Sequence, residues 1–527
     1  MKTRIISIAV SFFLSFLSAG LLAVSLPANE IAWLAWIALV PLLITISGRR
    51  VVSGFTLSYL CGIISSAVIY DWIFAAPGYQ LPHHVILALI VGLYTGIFGL
   101  IYGYVCNRWH SAAALVCAPF IWVSMEYIRS NVSFLSLPFP VLGHSQYQHL
   151  QIIQAAAITG GYGISFLIVM VNAAIAGAAL MLVSKAKPPE YLNCQSPSKR
   201  SVWLLFCIVF ILLGVTFVYG KTVLSRPAGG KKIRISVIQG NIDKEMKRDT
   251  RKYAGDIMRR YTQLTHAALK ENPDLVVWPE AATPGLVLKN LSLQQELVSL
   301  IKKADRHFLI GSSEYPKFSD EPFDKNKFGN TALFFSPSGR LLGQHLKMFL
   351  IPFGEYIPYE DTIPWPEFIV PKENRARDVP GNEFTIFELG GAKFGVVICS
   401  EGAFPNLFRK FVKEGANFML NITNEGWFGE SALYQKVATS VFRAVENRIS
   451  LARATNTGIS CFIDPTGRVY GRVQKNQRET FIDGHMTEDI LLSENRTFYT
   501  IHGNIFAFVC LGVTVILIIL SIGRRKY

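Results

Sequence analysis

Three side chains of the kinds that carry acyl transfer stand at the ends of apolar runs. Cys399 closes Phe394-Gly-Val-Val-Ile-Cys399, and Glu280 closes Leu275-Val-Val-Trp-Pro-Glu280. Lys347 lies between them, in Leu346-Lys347-Met-Phe-Leu-Ile-Pro-Phe-Gly-Glu355. A thiol attacks a carbonyl as its thiolate, and free cysteine has a pKa of about 8.5, so a base or a positive field must sit beside it. Glu280 is the candidate base: burial raises a glutamate pKa toward neutral, where it can both take and return a proton. Lys347 offers positive charge where an oxyanion would form, and the N–H of Ser400, directly after the thiol, is the natural second donor. Singly, each residue has a plainer reading: Cys399 as core filler, Glu280 as a surface acid, Lys347 as a solvated lysine. Together they point to thiol-based acyl transfer.

Such residues converge only if strands deliver them to one end of a sheet. From Lys231 the chain alternates β-branched runs with amphipathic stretches. The pattern predicts strands over 233–238, 275–278, 308–311, 331–335, 341–345, 392–399, 417–422, 450–463 and 468–473. Helices are predicted over 245–270, 293–304, 403–413 and 432–446. This alternation implies one layered α/β domain, whose strand exits are where such sheets place ligands. Residues 352–380 differ, with six prolines and the aromatics Phe353, Tyr356, Tyr359, Trp365 and Phe368. They read as a lid or membrane-touching arm; the alternative is a loop packed on its own domain.

The rest of the chain is built for a bilayer. With 51% hydrophobic and 17% charged residues, 527 residues are too apolar for one soluble globule. Eight stretches are long and apolar enough to span: 5–26, 31–48, 51–73, 84–105, 111–128, 161–184, 202–220 and 503–522. The first could be a cleaved signal, but its length and the direct run into the second favour a retained hairpin. Basic residues fall at alternate ends: Lys2 and Arg4; Arg49 and Arg50; Arg108; Lys185, Lys187, Lys199 and Arg200; Arg524, Arg525 and Lys526. That asymmetry predicts both termini inside and the large segment outside, periplasmic in a cell with two membranes. The expected domains are a seven-helix bundle (1–220), an outer catalytic domain (221–502), and a closing helix with a basic tail (503–527). Of the net charge of +15, residues 231–500 contribute little, with 36 Lys/Arg against 32 Asp/Glu. The basic excess therefore reports topology and lipid contact, and no nucleic-acid partner is expected.

Of eight cysteines only Cys399 and Cys461 fall in the outer segment, without paired spacing, so no disulfide scaffold is expected. His144, His266, His307, His345 and His485 lack ligand spacing, so neither a metal nor another cofactor is expected. Asp71 and Glu126 lie near span ends, which argues against an ion path and a transporter.

Trp278-Pro279-Glu280, Lys347 with Phe353-Gly354-Glu355-Tyr356, and Ile398-Cys399 with Glu401 resemble the carbon–nitrogen hydrolase (nitrilase) superfamily. Thr423-Asn424-Glu425-Gly426-Trp427-Phe428-Gly429 and Arg453-Ala454-Thr455-Asn456-Thr457-Gly458 resemble one branch of it, the apolipoprotein N-acyltransferase family. The resemblance spans nearly the whole chain. It implies an α-β-β-α sandwich beside a polytopic helical membrane bundle, in the bacterial inner membrane. It also implies a Glu280-Lys347-Cys399 triad working by ping-pong. A phospholipid such as phosphatidylethanolamine would acylate Cys399, and the α-amine of a diacylglyceryl apolipoprotein would then take the chain.

By the same resemblance, Glu355 orients the lysine or the amine, Glu401 supports the loop after the nucleophile, and Asn241, Asn330 and Trp427 lie at substrate-binding positions. Two positions depart from the family pattern. Ser400 stands where an aromatic residue is frequent, and Arg248 follows Lys247 where tryptophan is frequent; both bear on acyl-chain contacts. Two rivals share these residues: a membrane-tethered amidase using water as second nucleophile, and a scaffold with an inactive nitrilase domain.

Overall fold

The apolar runs between 232 and 491 form twelve strands in a computed structural model. The structure describes residues 2–27, 31–132, 134–185, 197–227, 229–315, 328–370 and 378–524. Lys187 and Cys194 of the inner linker, Pro371 of the arm, and Arg525 and Lys526 of the tail lie outside the described residues. The chain divides into two units: Met1–Phe74, Tyr79–Arg226 and His502–Tyr527 form one, and Ala75–Gly78 with Pro227–Ile501 form the other.

In the second unit the strands are β1 (Lys232–Gln239), β2 (Leu275–Val277), β3 (His307–Glu314), β4 (Gly329–Phe335), β5 (Leu341–Leu346) and β6 (Ile386–Leu389). They continue with β7 (Ala392–Ile398), β8 (Phe418–Thr423), β9 (Ser450–Thr455), β10 (Cys461–Ile463), β11 (Val469–Tyr470) and β12 (Gly484–Leu491). Two six-stranded sheets result, in the orders β12-β1-β2-β3-β4-β5 and β11-β10-β9-β8-β7-β6. The centre of each is parallel, β1-β2-β3 in one and β7-β8-β9 in the other. Parallel strands are covered on both faces, which is why Leu275-Val-Val and Val396-Val-Ile run apolar without alternation.

The sheets pack face to face through Ile235, Val237 and Leu309 on one side and Val396, Ile398 and Leu420 on the other. Phe334 of β4 meets Phe394 of β7 edge-on at 5.2 Å, within the range where aromatic pairs gain beyond area burial. Helices Ala254–Leu269 and Leu291–Ala304 cover the outer face of the first sheet. Helices Pro405–Lys413 and Glu430–Asn447 pack on the second. The layers are thus α-β-β-α.

Two strands carry no clear sequence signal. β6 is four residues long, and β12 is an edge strand bearing His485, Glu488 and Asp489 whose place is set by pairing with β1. The expected strand over 450–463 divides into β9 and β10. The expected helix over 245–270 breaks into Lys244–Arg248 and Ala254–Leu269.

Among the described residues of the first unit, seven helices are long and apolar enough to cross a membrane. They are Ile6–Val24, Val51–Ile69, Leu81–Arg108, Ser111–Asn131, Gly161–Val183, Lys199–Leu224 and Ile505–Ile522. The eighth expected span, 31–48, is instead a short 3-10 turn, Ala32–Trp36, and a short helix, Val40–Ile46. Asn172 holds the break open. Its amide donates to Ala35 O at 2.9 Å and accepts from Leu39 N–H at 2.8 Å, replacing helical bonds that hydrocarbon could not supply. The segment still runs back along the first helix: Leu42 N–H meets Ser18 Oγ at 2.9 Å, and Arg49 bonds Ser11 further along. Asn107 then donates to Arg49 O, and Arg108 to Arg524 O. The basic residues at 49, 108 and 524 therefore gather at one end of the bundle.

Truncating Phe394 to alanine removes the central contact between the sheets. Denaturant unfolding followed by the fluorescence of buried Trp278 should show a loss of about 3–5 kcal/mol.

Candidate active site

Lys347 follows β5 directly and has no exposed side-chain surface. Its backbone is fixed on both sides: its N–H donates to Asn330 O at 2.8 Å, and its carbonyl accepts from Gly381 N–H at 2.7 Å. A buried ammonium is tolerated only with counter-charges, and two carboxylates supply them. Nζ lies 2.5 Å from Glu355 Oε1 and 3.7 Å from Glu280 Oε1. Burial alone would lower the lysine pKa. The fields of Glu280, Cys399 and Glu355 overcome burial and hold the pKa above its ordinary value, so the group is charged.

Glu280 sits three residues past β2, in a turn that crosses β3 very closely. A Cβ at Gly311 would lie 2.2 Å from Pro279 O, so only glycine lets this turn form. Oε2 of Glu280 accepts from Asn424 N–H at 2.7 Å, at the exit of β8. Burial raises the Glu280 pKa, Lys347 opposes it, and Glu355 adds to the rise. The same carboxylate faces the Cys399 thiol, and the two interact electrostatically. Cys399 follows β7 with φ at +53°, a left-handed conformation costing roughly 1–2 kcal/mol in a non-glycine residue. Burial and Glu280 raise its pKa, while Lys436, Lys347 and Thr423 pull it down. A thiol facing a basic carboxylate, with a buried ammonium 3.7 Å from that carboxylate, can transfer its proton and attack a carbonyl.

The remaining sequence candidates divide. Glu355 is brought in fully: besides the lysine it accepts from Asn330 Nδ2 at 3.3 Å and from Ile351 N–H at 2.8 Å. Glu401 is wholly buried and holds backbone. It accepts from Ile398 N–H at 2.7 Å, Met348 N–H at 2.6 Å and Phe349 N–H at 3.1 Å, so it ties the nucleophile turn to the residues after Lys347. Ser400 lies beside the nucleophile, its hydroxyl buried without a hydrogen-bond partner. Trp427 is half-buried in the turn after β8, three residues beyond Asn424.

Asn241 lies two residues past β1. It braces a loop, its N–H bonding Asn456 O at 2.8 Å and its side chain bonding Phe481 O at 3.1 Å.

Three residues near the site carry no strand-end signal. His345 is fully buried, Nε2 being 3.9 Å from Glu401 Oε2. Asp378 sits beside the Lys347–Glu355 pair. Burial, Glu355 and Glu280 raise its pKa against the pull of Lys347, to about 6. Lys247 donates to Ala281 O, the carbonyl just after Glu280; its pKa falls to about 8 through burial, against the field of Glu280. In the arm, Phe353 packs edge-on against Trp365 at 5.0 Å, Trp365 Nε1 donates to Pro358 O at 2.7 Å, and Tyr359 and Phe368 are exposed.

Comparison with known proteins matches residues 18–174 to the apolipoprotein N-acyltransferase N-terminal domain and residues 234–486 to the carbon–nitrogen hydrolase domain. The apolipoprotein N-acyltransferase of Geobacter metallireducens is 33% identical over 98% of this chain and 96% of its own. This chain belongs to the apolipoprotein N-acyltransferase family. A second member, from Chlorobaculum tepidum, is 27% identical over 98% of this chain and 97% of its own. Among solved structures, an amidase from Nesterenkonia sp. aligns at 18% identity over 50% of this chain and 92% of its own, with a TM-score of 0.38. The first of these matches falls in the helical unit and the second in the sandwich.

Two measurements check the site. The rate of Cys399 acylation should rise with pH through a limb lying above the ordinary glutamate value of about 4.3, because the Glu280 carboxyl is held high; a limb at or below that value would remove Glu280 as base. Glu401→Ala leaves three N–H groups without an acceptor. Acyl-enzyme formation should then fall by at least about 100-fold, since small misplacement at a reacting centre has that effect, with the far-ultraviolet circular dichroism unchanged.

Proposed function

We propose that this protein transfers an acyl chain from a phospholipid, through a Cys399 thioester, to the α-amine of a lipoprotein's N-terminal diacylglyceryl-cysteine. One observation carries the assignment of roles: a buried lysine held between Glu280 and Glu355, with the Cys399 thiol facing Glu280. Family membership and the seven apolar helices support the lipid substrates and a membrane protein. The donor is a phosphatidylethanolamine-like phospholipid. The catalytic unit works on the periplasmic side of the bacterial inner membrane.

In the first half-reaction Glu280 takes the thiol proton and sulfur attacks the ester carbonyl. A C–S bond forms, and the oxyanion is balanced by Lys347 and the Ser400 N–H. Collapse breaks the C–O bond, and the departing glycerol oxygen takes the proton back from Glu280. A lysophospholipid leaves and a thioester stays. In the second half the amine nitrogen attacks the thioester and gives its proton to Glu280. The C–N bond forms, the C–S bond breaks, and sulfur recovers the proton. An α-amine with a pKa near 8 is only about one-tenth free base at pH 7, so a base near neutrality assists.

Glu355 accepts the hydrogen bond of the Lys347 ammonium. The thioester has to outlast encounter with a second lipid, which requires a dry site. The aromatic arm, pinned at its start by Glu355, suits that task, and its exposed Tyr359 and Phe368 suit headgroup depth.

The test is mass spectrometry of a diacylglyceryl lipopeptide incubated with enzyme and phospholipid vesicles. Transfer adds one acyl mass to the lipopeptide; release of free fatty acid alone would favour the amidase-like reading with water as acceptor. Cys399→Ala and Glu280→Gln should leave no acyl-enzyme. Lys347→Met should slow acylation by about 100-fold or more, corresponding to about 3 kcal/mol for a lost oxyanion partner; a rate within about tenfold of the parent, under about 1.4 kcal/mol, would remove that role.

A further inference from the structure

Strands β8 and β9 run parallel and end together, Thr423 paired with Thr455. Carried one residue further, that register sets Asn424 beside Asn456, and the Asn456 N–H donates to Thr423 O at 3.0 Å. Residues paired across parallel strands send their side chains to the same face, so the two amides meet. Asn456 Nδ2 donates to Asn424 Oδ1 at 3.1 Å. The loop that follows β1, in the other sheet, comes to the same place: Asn241 N–H donates to Asn456 O at 2.8 Å.

Asn456 is wholly buried. Its Oδ1 accepts from Ile242 N–H at 2.9 Å, and its Nδ2 donates to Ile242 O at 2.7 Å. That pair of bonds fixes which end of the amide is the donor and leaves its second N–H hydrogen for Asn424. Asn424 is buried too, and its own backbone N–H donates to Glu280 Oε2 at 2.7 Å. A line of hydrogen bonds therefore runs from the loop after β1, through Asn456 and Asn424, to the carboxylate beyond β2. The same loop also holds the far side of the Glu280 turn, where Lys247 donates to Ala281 O. Ala281 has φ at +47°, a conformation alanine rarely adopts, so this turn is held by its partners rather than by its own preference.

We infer that Asn456 is a positioning residue for the base: by holding the Asn424 side chain, it fixes the backbone N–H that keeps the Glu280 carboxylate in place. The inference rests on the role given above to Glu280. That carboxylate takes a proton from sulfur in one half-reaction and from the amine in the other, so it has to keep one position through both. Only a carboxamide meets the demand at 456, because it offers two N–H hydrogens and an acceptor oxygen together; aspartate lacks the donors. The bond from Asn424 also pulls the Glu280 pKa down against burial. The charged and titratable groups facing Glu280 are Lys347 and Glu355 beyond β5, Cys399 beyond β7, Lys247 in the loop after β1, and Asp378. Neutral substitutions at 456 and 424 leave all of these charges in place.

The experiment measures the rate of Cys399 acylation by phospholipid against pH, in the full chain in detergent, read by the mass of the Cys399 peptide. Asn456→Ala and Asn424→Ala should each raise the midpoint of the ascending limb by about half a unit or more, because a hydrogen bond that favours the charged carboxylate is loosened. Asn424→Ala keeps the backbone N–H and removes only the side-chain tie, so it decides the matter if Asn456→Ala does not fold. Ser460→Ala is the control for a merely structural defect. It deletes the acceptor of Thr455 N–H, a 3.0 Å bond in the same turn that lies off this line, and should keep the parent's midpoint. Midpoints that stay with the parent in folded Asn456→Ala or Asn424→Ala overturn the inference, as does an equal shift in Ser460→Ala. Glu280→Gln is measured alongside. If it acylates as fast as the parent, the role of Glu280 and the mechanism built on it fall; if it does not acylate and the midpoints stay fixed, the role of Asn456 alone falls.

Discussion

An ammonium group with no access to water has to be met by negative charge, and the catalytic unit is arranged around that demand. Moving a lone cation into a protein interior costs several kcal/mol even after relaxation. Lys347 is wholly buried and reaches Glu355 and Glu280 instead of solvent. That requirement brings the end of β2, the end of β5 and the start of the aromatic arm to one place. The cysteine arrives from the other sheet, and Glu401 joins the two by accepting N–H groups from both. Chemistry and architecture therefore share one constraint.

Two carboxylates around one lysine also divide their work by environment. Glu355 has three donors, from Lys347, Asn330 and Ile351. Glu280 sits deeper, accepts from one backbone N–H, and burial raises its proton affinity. A carboxyl whose surroundings raise its proton affinity is a recurrent way to obtain acid–base chemistry near neutral pH. Asp378 adds a third acid to the same neighbourhood, which makes the charge balance around Lys347 sensitive to pH near 6.

In the membrane unit polar side chains serve backbone that leaves the helical pattern. Asn172 spans the break at Ala35–Leu39, Gln146 donates to Ala32 O at 2.9 Å, and Glu126 accepts from Leu142 N–H at 2.7 Å and Trp122 Nε1 at 3.0 Å. Unsatisfied backbone is costly away from water, so these residues allow a non-helical return inside an apolar bundle. The segment 31–48 was legible as apolar, but its break was not, since the groups that stabilise it come from more than 100 residues away. Hydropathy reads local composition and is blind to such partners.

What the sequence determined by itself follows from local chemistry. Apolar runs ending in Glu280, Lys347 and Cys399 mark strand exits because buried parallel strands must be apolar and reactive groups must leave them. The family-specific motifs placed Glu355 and Glu401 in the same neighbourhood, and composition marked the bundle. Tertiary structure decided the rest. It assigned β12 to the edge of β1, set Asn241 bracing a loop, gave Glu401 its three backbone partners, and brought Asp378 beside Glu355, the partner of the lysine. No spacing rule reaches those facts, because electrostatic fields and hydrogen bonds depend on distance in space, and the chain fixes that distance only when both sheets have closed on each other.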